Sequence, residues 1–142
     1  MLLYAETHYP RRLPSFIRRA EPEIVVDLPW RVEPGCAIPV LLVVRDAHWF
    51  PVRIDRLRIE IVPADRTTAY DIHAAQDVPI HTVIREPWWW RIVELPPPDV
   101  PGHYRISAEI HYTLDPDTGA ERKRIAVADN YRGTRHTPFR VE

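Results

Sequence analysis

The chain has 142 residues and a formal net charge of −1, from 19 basic and 20 acidic side chains. This length suits one domain, and the balanced charge predicts affinity neither for nucleic acid nor for a membrane surface. A single cysteine, Cys36, excludes an intrachain disulfide and a zinc site built from several cysteines. No apolar run approaches the roughly 18 residues of a membrane helix, and the first residues lack the basic start of a signal peptide. We therefore expect a cytoplasmic protein, and no motif calls for a cofactor.

Residue usage gives a weaker hint about the source. Arginine occurs 18 times and lysine once, and 16 residues are proline. A bacterial protein adapted to heat would show this usage, because loop prolines are frequent and deamidation-prone residues are rare in such proteins. A GC-rich genome would show it as well, and composition does not separate the two.

Residues 1–22 differ from the rest of the chain. They begin with the strand-like stretch "LLYAETHY" and continue through "RRLPSFIRR". We interpret residues 1–22 as an N-terminal arm or edge strand, and residues 23–142 as one compact module. The two arginine pairs could contact an acidic partner or a nucleic-acid backbone. The near-zero net charge favours instead a solvated arm that packs Leu13, Phe16 and Ile17 on its own or a neighbouring domain.

The remainder of the chain is dominated by short strands. Prolines recur between apolar runs, no stretch keeps a helical period, and each of the four glycines lies in a turn-like context. Besides the first stretch, the strand candidates are residues 23–27, 37–46, 52–62, 89–95, 104–114, 123–128 and 137–141. Seven or eight strands at short spacing predict an all-β, immunoglobulin-like antiparallel β-sandwich.

Three of these segments carry more detail. Residues 104–114 alternate between apolar and polar, as a half-buried antiparallel strand does, whereas residues 37–46 are apolar on both faces and predict a central strand with Pro39 near its start. In residues 52–62 the apolar positions change phase near Asp55-Arg56, which predicts a β-bulge. Residues 64–79 are the least regular, and a loop, a short edge strand and a helical turn remain open for them.

Two motifs resemble known β-sandwich families. "VEPGCAIPVLLVVRDAHWFPVRIDRLRIEI" is similar to the opening of bacterial immunoglobulin-like and macroglobulin-type domains, and "VELPPPDVPGHYRISAEI" resembles the corner before strand F of fibronectin type III domains. The resemblance covers residues 32–114. It implies structural roles for Gly35, Pro101, Gly102 and Tyr104, the last as a corner tyrosine whose hydroxyl bonds to upstream backbone. The cysteine bridge of true immunoglobulin domains is missing, and the resemblance implies a non-catalytic role.

The run Trp88-Trp89-Trp90 is the most conspicuous candidate site. Together with Trp49 these residues could form an aromatic platform, because flat indole rings give a large contact area to a protein partner or a sugar ring at low entropic cost. The alternative is that the tryptophans belong to the core, beneath the prolines that follow.

Strand alternation divides the run between two faces. Trp88 and Trp90 would share a face with Ile92, and Trp89 would share the other with Val93. From the residues that follow, we expect the face of Trp89 to be better buried at its end and the face of Trp88 and Trp90 to be better buried at its start.

No residue pattern indicates catalysis or metal binding. The seven histidines are scattered without ligand spacing, Cys36 has no recognisable basic partner and is expected as a half-buried filler, and the common nucleophile and phosphate-loop motifs are absent. We therefore predict a non-catalytic accessory domain. Since the last residues, "TPFRVE", are still strand-like, we expect the native chain to continue. The predicted partner is then a downstream domain of that chain, another protein or a second copy, and the alternative function is carbohydrate binding.

Overall fold

The computed structural model describes residues 1–8, 22–45, 51–64, 74–98, 100–117, 119, 121–130 and 139–141. Within these ranges the chain forms eleven β-strands and no helix, so none of the described residues belongs to a helix that could cross a bilayer. The strands are β1 (Leu2–Tyr4), β2 (Glu6–His8), β3 (Glu23–Asp27), β4 (Arg31–Val32), β5 (Ile38–Arg45), β6 (Val52–Pro63), β7 (Ala74–Ile84), β8 (Trp88–Leu95), β9 (Gly102–Leu114), β10 (Arg122–Asp129) and β11 (Phe139–Val141).

The strands form two sheets that pack against each other, which confirms the predicted all-β sandwich. Sheet 1 has the order β1-β3-β5-β8, and sheet 2 has the order β2-β10-β9-β6-β7. Strand β11 pairs with the first residues of β9, and β4 pairs with β11. All pairs are antiparallel except β4 with β11. The chain crosses from sheet 1 to sheet 2 between β5 and β6, returns between β7 and β8, and crosses again before β9.

Aliphatic side chains from both sheets fill the space between them. Every second residue of β5 points into this core, and so does every second residue of β9 as far as Tyr112. Tyr112 is fully buried, and its hydroxyl lies 2.9 Å from the hydroxyl of Thr7 on β2. Because a buried hydroxyl without a partner is costly, this contact lets sheet 2 bury a large aromatic ring in its core.

The predicted central strand and the predicted bulge are both confirmed. Strand β5 lies between β3 and β8, and Pro39 is its second residue. The pairing of β6 with β9 shifts register between Ile54 and Arg56, which places an extra residue of β6 at Asp55. The pairing of β6 with β7 shifts at the same point, but there the extra residue lies on β7. The bulge restores Leu57 to the core side, and for this reason the apolar phase of the sequence changes there.

Strand β7 answers the question left open for the irregular stretch, since of the loop, the short edge strand and the helical turn the structure shows an edge strand, and a longer one than expected. It begins at Ala74 and therefore takes up the last part of the irregular stretch, then continues to Ile84. Alanines, Asp77 and Pro79 gave it a weak strand signal. Among the described residues β7 pairs only with β6, and an edge strand tolerates a proline because one side of its backbone needs no partner strand.

The observed strand number exceeds the predicted seven or eight for three reasons. Strand β7 was only one of three alternatives for its segment and was not counted among the predicted strands, and the two-residue β4 was not expected. The first predicted strand is two strands, with β1 on the edge of sheet 1 and β2 on the edge of sheet 2. The chain changes sheets at Ala5, whose amide donates to the carbonyl of Ile24 at 2.9 Å.

The residues expected to be structural lie in two turns. The Tyr104 hydroxyl donates to the carbonyl of Val100 at 2.6 Å, across the turn that contains Pro101 and Gly102. Gly102 has a φ of 155°, which residues with a side chain rarely adopt. This geometry confirms the predicted corner contact of Tyr104.

The second turn precedes β5. The amide of Cys36 donates to the carbonyl of Glu33 at 3.2 Å, and Gly35 has a φ of 80°. A proline followed by a glycine with positive φ is typical of a type II turn. Cys36 is exposed, so the expectation of a half-buried filler is wrong. The turn places its side chain outside the sandwich.

Candidate functional site

The three consecutive tryptophans begin β8, an edge strand of sheet 1 among the described residues. Trp89 is half-buried and packs against the core, on the same side as Val93 and Leu95. Trp88 and Trp90 point the other way and are 57% and 52% exposed. The predicted division of the run between two faces is therefore confirmed.

The expected burial of these faces is wrong in one respect. The face of Trp88 and Trp90 is not buried at its start, because it is the outer face of the sandwich along the whole strand. Trp89 accordingly belongs to the core side and cannot join an outward platform with its neighbours. Trp49, the fourth predicted member, lies outside the described residues.

The outward tryptophans belong to an apolar surface that extends across all four strands of sheet 1. Strand register places Trp90 beside Val43, Val43 beside Val25, and Val25 beside Tyr4. Val43 is half-buried, and Val25 is almost completely buried although it is not part of the core cluster. This row therefore joins Trp90 to Tyr4, which is 58% exposed, without a polar side chain between them.

A second row runs parallel to the first. It places Ile92 beside Leu41, Leu41 beside Asp27, and Asp27 beside Leu2. Ile92 is 53% and Leu2 56% exposed. We call the surface formed by the two rows and Trp88 the apolar face; its members are Leu2, Tyr4, Val25, Leu41, Val43, Trp88, Trp90 and Ile92. Of the nine large apolar residues that are exposed in the described part of the chain, five belong to it.

Charged groups lie at the ends of the apolar face. In the row of Trp88, Arg45 and Glu23 form an ion pair with 3.3 Å between guanidinium nitrogen and carboxylate oxygen. Glu94 lies beside Pro39 at the opposite end. Between these ends lies Asp27, whose carboxylate pairs with the N-terminal ammonium of Met1 at 3.2 Å. Apolar centres with polar rims are typical of protein interfaces.

Two shallow depressions lie beside residues of the apolar face. One, of about 350 Å³, is lined by residues 86–90, which include all three tryptophans. The other, of about 300 Å³, lies at the opposite end, where Pro39, Leu41 and Ile92 line it together with Asp27. Such depressions can accept projecting side chains of a partner, and buried anchors of this kind contribute most of the binding energy of protein interfaces.

The outer face of sheet 2 has the opposite character. At its bulge, Asp55 accepts hydrogen bonds from Arg53 and from Thr113, both at 2.6 Å. Arg53 also reaches Glu121 at 3.3 Å, and one step further along the sheet Arg58 pairs with Glu60 at 2.7 Å. The hydrogen bond to Asp55 raises the pKa of Arg53 above its ordinary value. These side chains around the bulge satisfy one another.

The remaining candidates do not assemble into a reactive site. Within the described residues, no three side chains of His, Cys, Asp or Glu lie close enough together to hold a metal ion. His103 and His111 lie on β9, and His111 contacts Glu109 at 3.3 Å. Cys36 stands in an exposed turn, away from these histidines in the strand order.

Comparison with known proteins adds no further assignment. No family model matches the chain, and no curated protein matches it. The site therefore rests on the geometry of the chain itself. Sequence reasoning found its two outward tryptophans but missed Leu2 and Tyr4, although the pattern of β1, with Leu3 buried between them, carries the signal.

Proposed function

We propose that this chain is a non-catalytic, immunoglobulin-like interaction domain that docks another protein domain on the apolar face of sheet 1. The observation that carries the proposal is the continuity of this face across four strands. Soluble proteins rarely leave such a surface uncovered, because each large apolar side chain in water forgoes a favourable burial.

The size of the apolar face supports this role. From the exposures of Leu2, Tyr4, Trp88, Trp90 and Ile92, its solvent-exposed apolar area is about 600 Å², at the upper end of the largest patch on typical monomers. A standard protein interface buries about 800 Å² on each partner. The apolar face and its charged rim together approach that area, so one domain-sized partner would cover them.

The order of the strands supports the immunoglobulin-like part of the proposal. In that family one sheet contains strands A, B and E, and the other contains C, F and G. Here β3, β5 and β8 are neighbours in sheet 1, and β6, β9 and β10 are neighbours in sheet 2, in the same order along the chain. Tyr104, at the start of β9, makes the corner contact that such domains show.

The chemistry of the face favours a protein over a carbohydrate. Sugar rings stack on indoles, but their hydroxyl groups also need hydrogen-bond partners beside the stacked ring. The neighbours of Trp90 across the sheet are Val43, Val25 and Tyr4, which provide only one hydroxyl, at the far edge. A partner that presents apolar side chains fits this row better.

The test places a photo-crosslinking amino acid at position 90 in the native polypeptide, expressed in its own cells. We expect crosslinks to one defined surface, either on an adjacent domain of the same polypeptide, on a second copy or on another protein. The matched control carries the same amino acid at position 83, because Val83 is an exposed apolar residue on the outer face of sheet 2. It should give no defined product.

The companion measurement is sedimentation velocity of the isolated chain, combined with titration of plant and bacterial polysaccharides. Trp90→Asp should weaken whichever association is found by at least about tenfold, as removal of a central aromatic anchor does, and Val83→Asp should not. If position 90 gives no crosslink, and polysaccharide binding is found and lost in Trp90→Ala, the docking role is wrong and the carbohydrate alternative is correct.

A further inference from the structure

A second feature lies on the opposite side of the sandwich, where two strand irregularities face each other. Strand β6 has its bulge at Asp55, and opposite it β7 places two residues, Ile80 and His81, between the paired residues Pro79 and Thr82. His81 has a φ of 46°, in the left-handed region that residues other than glycine seldom occupy. Bulges change the direction of side chains, and strained backbone recurs at binding sites.

The irregularities adjoin a depression of about 480 Å³ on this side of sheet 2. The charged and titratable residues that line it are Arg53, Arg56, Lys123, Arg124, His81, His111 and Asp55. Register pairs Arg124 with the buried Tyr112, so the cations on the outer face are Arg53, Arg56 and Lys123. The volume lies within the range of small-molecule sites. Although the whole chain is nearly neutral, this depression is locally cationic.

The cationic side chains around the depression differ in the number of acceptors that they contact. Arg53 is held by Asp55, Glu121 and Thr113 and is therefore part of the structure of the bulge. Arg56 reaches only the carboxylate of Asp77, at a long 3.5 Å. The side chains of Lys123 and His81 make no hydrogen bond or ion pair with any residue that the structure describes. Donors therefore remain available at three points around the depression.

We propose that this depression binds a small, multiply charged oxyanion, such as a phosphate ester or a polycarboxylate. Arg56 and Lys123 approach it from β6 and β10, on either side of β9, and His81 approaches from β7. An anion between them accepts charge-assisted hydrogen bonds from side chains that otherwise point into water. The site is independent of the apolar face, which lies on the other sheet.

Binding is measured by isothermal titration calorimetry and by amide chemical shifts, with pyrophosphate and citrate as probes at constant ionic strength. We expect saturable binding, with shifts centred on residues 80–82, 111 and 123. Arg56→Gln and Lys123→Gln should each weaken binding by about tenfold, the loss that follows from removing one charge-assisted contact. The ratio of the two affinities distinguishes a phosphate site from a carboxylate site.

Arg58→Gln is the matched control, because Arg58 lies on the same strand and face as Arg56 but outside the depression, paired with Glu60. It removes the same charge and should change the affinity less than about twofold. The proposal is overturned if neither probe saturates below about 10 mM, where the binding free energy would be only about 3 kcal/mol. It is also overturned if Arg58→Gln weakens binding as much as Arg56→Gln, or if a single-stranded oligonucleotide binds more tightly per phosphate than pyrophosphate does.

Discussion

The outer faces of the two sheets differ in a way that their inner faces do not. Both inner faces supply aliphatic side chains to one core, but the outer face of sheet 2 consists of ion pairs and hydrogen bonds around Asp55, whereas that of sheet 1 is apolar from Tyr4 to Trp90. Sheet 2 follows the usual rule for antiparallel sheets, with one face in the core and one in water. Sheet 1 has the composition of a sheet covered on both sides.

The difference teaches that the two faces serve different purposes. A charged outer face keeps a sandwich soluble and does not need to be covered by another protein. The exposed side chains of the apolar face, such as Trp88, Trp90 and Tyr4, add little to the stability of the isolated domain, because more than half of their surface remains in contact with water. Three sets of matched substitutions test this comparison by their effects on stability.

The largest effect is expected within β8, where one strand serves both environments. Trp89→Ala should lower the free energy of unfolding by about 3 kcal/mol, since this side chain packs against the core. Trp88→Ala and Trp90→Ala remove the same group from the apolar face and should each cost less than about 1 kcal/mol. Chemical denaturation of the three variants measures these changes in the free energy of unfolding. Equal and large losses at all three positions would mean that the run is simply core.

An intermediate effect is expected on the outer face of sheet 2. Asp55→Ala removes the acceptor of Thr113, which is fully buried, and one partner of Arg53, so unfolding should become easier by about 2 kcal/mol. Glu60→Ala breaks the ion pair with Arg58, which is partly exposed, and should cost less than about 0.5 kcal/mol. If both substitutions cost the same, the bulge network is no more than a set of surface ion pairs.

The smallest effect concerns the turn that joins the two sheets before β9. Tyr104→Phe removes the hydroxyl that reaches Val100 and should cost about 1 kcal/mol in thermal or urea unfolding. Tyr4→Phe makes the same chemical change on the apolar face, where the ring is exposed, and should leave stability within about 0.3 kcal/mol. A Tyr104→Phe variant as stable as Tyr4→Phe would show that the corner contact contributes nothing.

Features that depend on nearby residues were predictable. The division of Trp88 from Trp89, the bulge at Asp55 and the corner contact of Tyr104 each follow from a short stretch of chain, because strand alternation and turn chemistry act over a few residues. Strand β7 was predictable only as one of three alternatives, since Pro79 and Asp77 weaken its local signal and its pairing with β6 outweighs that weakness.

The candidate site was predictable only in part. Strand alternation predicts that Trp88, Trp90 and Ile92 share a face. It does not predict whether that face packs against the other sheet or is exposed to solvent. We expected burial at the start of this face because its first residues are apolar and Glu94 comes last, and the structure places both tryptophans outside. The cationic depression on sheet 2 gave no sequence signal, since its residues come from four separate strands.

The sequence by itself determined the all-β class, which side chains of each strand lie together, and where the chain turns, because these depend on local backbone preferences. Only the tertiary structure decided that β1 and β8 lie at opposite edges of one sheet, separated by β3 and β5, so that Tyr4 and Trp90 share one surface. The tertiary structure also decided which face of each sheet is buried against the other sheet. The physical reason is that strand neighbours are selected by burial and hydrogen bonding between distant segments, and a period of two residues is compatible with many such pairings.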